Sequence, residues 1–103
     1  MINAICINAG SKPALIPMTH WLKVGQEYKV IMIYNMVKQE GILGVVLQGM
    51  DLEKLDCGYS SYKIDRFGFR LEDMEDLVRL AKNCAELNDF NVEELLQEQL
   101  EVI

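Results

Sequence analysis

His20 is the only imidazole in the chain, and the groups it could activate are the thiols of Cys6, Cys57 and Cys84 and the hydroxyls of Ser60 and Ser61. Nucleophilic catalysis requires such a thiol or hydroxyl beside a base. None of these pairings stands in a recognisable catalytic context, and His20 adjoins Pro17 and Trp21 in a stretch that reads as a surface loop, so no catalytic dyad is expected. Structural zinc takes four closely grouped sulfur or nitrogen ligands, and three scattered cysteines with one histidine miss the usual spacings. Asp51, Glu53 and Asp56 lack the order of a calcium loop and its closing glutamate. Neither G-x-G-x-x-G nor G-x-x-x-x-G-K-[ST] occurs, which removes the glycine-rich phosphate cradles. The expectation is a non-enzymatic protein with no cofactor and no metal site.

Aromatic residues carry the remaining signal. Trp21, Tyr28, Tyr34, Tyr59, Tyr62, Phe67 and Phe69 all fall before residue 71. They either fill a core or line a groove able to stack a peptide or a base. The binding candidates are Trp21, Tyr59, Tyr62 and Arg66.

Charge divides the chain. Residues 1–71 hold eight basic groups against six acidic ones, a balance of +2, whereas residues 72–103 hold two against ten, a balance of −8. So acidic a chain repels phosphate backbones, and nucleic-acid binding through Lys23, Lys29, Lys63, Arg66 and Arg70 is possible but disfavoured. An odd cysteine count without C-x-x-C spacing suggests no disulfide framework and a reducing compartment. The first residues lack the features of a signal peptide, and the longest apolar run, residues 41–47, is far short of the ~20 residues that cross a bilayer. A cytoplasmic protein with no membrane partner is expected.

The elements that would position the candidates follow from hydrophobic rhythm. At 103 residues, half of them apolar and a quarter charged, one domain and one core are expected. Up to residue 71, short apolar runs rich in β-branched and aromatic residues are broken every eight to twelve positions by turn chemistry, which predicts strands. Residues 2–8 form a first strand, with Ile5 and Ile7 on one face and Ala4 and Cys6 on the other. Residues 28–35 are apolar on both faces and predict a central strand, joined through the polar stretch 38–41 to a hairpin partner over 42–47. Residues 51–55 suit a helical turn, Asp65-Arg66 a turn, and residues 67–71 a last short strand.

From Glu72 the period becomes helical, with Met74, Leu77, Val78, Ala81, Cys84 and Ala85 on one stripe. After a break at residues 87–90, Asn91 and Glu94 make a capping-box pattern and open a second helix. Val92, Leu95, Leu96 and Leu100, extended by Val102 and Ile103, form its apolar face. A helix that short seldom persists without packing, so this face is expected to meet a protein partner or a second copy, giving a dimer, or to pack on its own β barrel.

The run W-L-x-x-G-x-x-Y-x-V over Trp21 to Val30, with Y-x-x-x-R-F over Tyr62 to Phe67, resembles uncharacterised small SH3-like barrel proteins of phages, mobile elements and Bacteroidetes-type bacteria. The resemblance covers residues 1–70 and implies a fold more than an activity. The fold expected is therefore α+β: a small SH3-like, mainly antiparallel β barrel over residues 1–71, followed by two C-terminal helices in an acidic extension over 72–103. The function expected is a non-enzymatic protein-interaction module of phage or mobile-element type. The alternatives are a weak nucleic-acid-binding barrel and an acidic inhibitor of a basic partner protein.

Overall fold

The computed structural model describes residues 2–36 and 41–103. Strand β1 (Ile2–Cys6) pairs antiparallel with β2 (Glu27–Asn35), β2 with β3 (Leu43–Leu47), and β3 with the short β4 (Tyr62–Lys63). On its other side β1 pairs antiparallel with β5 (Phe67–Phe69), and β5 pairs parallel with β6 (Glu101–Val102). The result is a six-stranded mixed sheet in the order β4-β3-β2-β1-β5-β6, with helices α1 (Met74–Lys82) and α2 (Val92–Gln99) between β5 and β6 in the chain.

This sheet corrects the expected SH3-like barrel. It is open, because β4 pairs only with β3 and β6 only with β5, and the strand order does not clearly match an SH3-like arrangement. A barrel buries its interior by closing the sheet on itself. Here α1 packs on β2 and α2 on β3, so helices complete the core instead. The last strand also takes the free edge of β5.

Alternation explains the inward face. Ile2, Ala4 and Cys6 of β1 are buried, whereas Ile7 just beyond it is exposed. Register carries this face across the sheet, Ile2 opposite Val30, Val30 opposite Leu47, and Cys6 opposite Phe67. The two-sided apolar pattern of β2 has a specific cause. The register slips between Val30 and Met32, leaving Ile31 as an extra residue, so the buried positions run Tyr28, Val30 and then Ile33. The strand is central, as its composition suggests, with β1 and β3 on its flanks. The turn proposed over 38–41 lies outside the described residues except for Gly41, whose φ of 80° is a conformation glycine adopts without strain.

Helices of nine and eight residues are marginal alone and depend on burial. Leu77 and Ala81 of α1 and Val92 and Leu96 of α2 enter the same core as the strands. Full burial of a leucine is worth roughly 1.5–3 kcal/mol. The expected stripe holds through Ala81, but Cys84 and Ala85 lie beyond α1, and Ala85 opens a 3-10 turn over Ala85–Leu87. Asn91 caps α2 as expected, its side chain accepting a hydrogen bond from the Glu94 N–H at 3.2 Å. The expected helical face over Leu100, Val102 and Ile103 does not form, because α2 stops at Gln99 and Glu101–Val102 extends as β6. Among the described residues no helix is long and apolar enough to cross a membrane.

Candidate functional site

Trp21 meets three residues of the stretch 59–66 at the β4 end of the sheet. The 3-10 turn Met18–His20 delivers Trp21, the loop before β4 carries Tyr59, β4 holds Tyr62, and the 3-10 turn Ile64–Arg66 ends on Arg66. All four line one cleft of about 220 Å³, joined by Pro13, Ile16 and Met36 as apolar wall and by Ser61 and Lys63 as polar groups.

Trp21, Tyr62 and Arg66 are each held by hydrogen bonds to backbone. Trp21 donates its indole N–H to the Ala9 carbonyl at 2.8 Å, and its ring lies 6.0 Å from that of Tyr62 at an angle of 47°. The Tyr62 hydroxyl donates to the His20 carbonyl, tying β4 to the turn that delivers Trp21. Burial, together with the neighbouring Tyr28 and Cys57, pushes the Tyr62 phenol well above its ordinary pKa, so at neutral pH it is a donor and not an anion. The Arg66 guanidinium sits 5.0 Å over the Trp21 ring, a cation–π contact, and its Nη1 donates to the Gly10 carbonyl at 2.7 Å and the Asn8 carbonyl at 3.3 Å. Trp21 is 8% exposed and Tyr59 40%, so one aromatic is structural as well as lining while the other stands free at the rim.

The sequence candidates thus converge, and it is the arrival of Trp21 beside the stretch 59–66 that nothing in their spacing requires. Ile16 and Met36 escape a reading of the sequence, because a short apolar run in a loop or a residue at a strand end gives no periodic signal of which side chain turns inward. The face offered to a partner by α2 is placed differently. Val92 and Leu96 are buried in the chain's own core, and Leu95 and Leu100 are partly buried against it. The aliphatic surface left exposed near the end of the chain belongs to Val102 and Ile103, on the sheet edge.

The nucleophile candidates do not assemble. The imidazole Nδ1 of His20 lies 3.1 Å from the Thr19 hydroxyl, and no hydrogen bond joins the ring to a cysteine or serine among the described residues. The three thiols are buried, and burial pushes that of Cys6 upward, away from the reactive thiolate. Among the described residues no three histidine, cysteine or acidic side chains are grouped closely enough to hold a metal ion. The basic groups considered for nucleic acid are not one patch, since Arg70 pairs with Glu27 at 3.8 Å and Glu72 at 4.0 Å, while Lys63 and Arg66 face the cleft.

Comparison with family models, curated proteins and solved structures finds no match to this chain.

Proposed function

We propose that the protein is a non-enzymatic protein-interaction module, and that the cleft framed by Trp21, Tyr59, Tyr62 and Arg66 is its recognition surface. One observation carries the reading: the Trp21 ring and the Tyr59, Tyr62 and Arg66 side chains of the stretch 59–66 line a single concavity, with Trp21, Tyr62 and Arg66 each fixed by a hydrogen bond to backbone. Aromatic side chains with only two side-chain torsions lose little entropy when a partner docks, and tryptophan, tyrosine and arginine are the types enriched at binding hot spots. A phage or mobile-element setting rests on the sequence resemblance alone.

Selection of a random displayed peptide library against the protein tests the reading, with Tyr59→Ala as the comparison target. Tyr59 is exposed, so its truncation spares the core. Enriched peptides that lose at least about tenfold in affinity for the variant support the cleft, in line with the value of an anchor side chain. Enriched peptides indifferent to Tyr59 and unable to perturb Trp21 refute it.

A further inference from the structure

We infer that the cleft takes a carboxylate side chain from an acidic peptide segment of a partner protein, received on the Nε–Nη2 flank of Arg66; this rests on the interaction-module reading and gives it a ligand chemistry. Arginine carries five N–H donors in a rigid fork. The two on Nη1 are directed to the Asn8 and Gly10 carbonyls, and the guanidinium is held over Trp21. These contacts set the plane of the fork, and among the described residues none uses its Nε–H and the adjacent Nη2–H. That pair of parallel donors matches the two oxygens of a carboxylate.

The charge distribution favours an acid over a neutral or basic partner. Among the described residues no aspartate or glutamate lines this cleft, whereas Lys63 and Arg66 both do. The groove between α1 and α2 mixes Glu75 and Glu93 with Arg79 and Lys82, and the one beside β2 and β3 includes Asp51 and Glu53. Among the described residues neither Lys63 nor Arg66 has a carboxylate within ion-pair distance. A chain of net charge −6 therefore presents a cationic concavity whose described lining is free of acids. Its volume of about 220 Å³ is smaller than the roughly 300–1,000 Å³ of sites that enclose a whole small molecule, and it suits one or two peptide side chains. The apolar wall of Ile16 and Pro13 gives a hydrophobic neighbour of the acid somewhere to rest.

Trp21 is the only tryptophan, so in the folded chain its fluorescence and its indole N–H resonance come from a single ring that lines this cleft. Three probes are titrated into the intact chain: a capped peptide alternating glutamate and leucine, its glutamine counterpart, and oligothymidylate. The expected result is a shift of the Trp21 signals by the glutamate peptide, at least about tenfold tighter than the glutamine peptide and weakening as salt rises. Arg66→Lys, which keeps the charge and loses the fork, is expected to reduce the glutamate preference severalfold, with circular dichroism confirming the fold. Equal binding of the two peptides overturns the carboxylate inference and leaves the module reading standing. Movement of Trp21 by oligothymidylate alone overturns both and assigns the cleft to nucleic acid. Silence of Trp21 toward all three probes overturns the inference, while the library selection judges the module reading separately.

Discussion

Ser61 Oγ occupies the space that a β carbon on Gly44 would need. Gly44 is buried in β3, and its missing side chain lets the segment entering β4 lie close enough for Gly44 to stand opposite Lys63. A residue between apolar neighbours in a strand is thereby explained by contact rather than by bending.

Gly44→Ala is accordingly expected to destabilise the fold by about 1–3 kcal/mol, the usual range for overpacking a filled site. Urea unfolding followed by Trp21 fluorescence measures it. Because β4 carries Tyr62, the same variant is expected to alter the Trp21 environment in the folded state; an unchanged midpoint contradicts the packing account.

Gln99 joins α2 to the start of β3, its Oε1 accepting from the Leu43 N–H at 2.8 Å and its Nε2 donating to the Gly41 carbonyl at 2.6 Å. Gln99→Ala leaves both backbone groups without these partners, at a cost of about 1–2 kcal/mol given their partial burial. Hydrogen exchange is the sensitive measurement, and the Leu43 amide is expected to exchange at least severalfold faster in the variant. Unaltered protection at Leu43 rules the clamp out.

At alkaline pH the raised Tyr62 and Cys6 pKa values make a signed prediction. Each group is held neutral more strongly in the folded chain than in the unfolded one, so the associated stability is fully present below the unfolded values, about 8.5 for cysteine and 10 for tyrosine. It is lost as pH rises through the higher folded values, because the unfolded state releases its protons first. Stability is expected to decline from about pH 9 upward. Tyr62→Phe is expected to remove the late-ionising part of the tyrosinate titration and to flatten the decline. A titration identical with and without Tyr62 contradicts this assignment.

Ile103 lies against Gly68 so closely that its side chain fills the position of a β carbon there, and its N–H donates to the Phe69 carbonyl at 2.9 Å. Gly68→Ala is expected to displace Ile103 and loosen β6, exposing the outer edge of β5. Amide exchange at residues 101–103 should accelerate, with a loss of about 1 kcal/mol or more from the strained contact. Equal protection at those amides argues against the seat.

Much of the layout was legible from residue types. Alternation in residues 2–8, the β-branched run over 28–35 and its hairpin partner over 42–47 became β1, β2 and β3, and Asn91 caps the helix that its spacing with Glu94 predicts. The cleft was legible only as a set of candidates. Trp21 and Tyr62 stand forty-one residues apart, and their meeting depends on a hydrogen bond from the Tyr62 hydroxyl to the backbone of His20. No local pattern encodes such a contact.

Local sequence determined where β1, β2, β3 and the start of α2 form, because backbone preference, alternation and capping act over a few residues, whereas β6 in place of more helix after Gln99 follows from pairing with β5. Whether the sheet closed or stayed open was a tertiary decision: the helices cover its apolar face and β6 takes the edge beside β5, so closure is not needed for burial. The same holds for the helix face of Val92 and Leu96. Its amphipathic spacing says that something must cover it, and only the packed chain shows that its own sheet does, since hydrophobic burial is non-directional and does not name its partner.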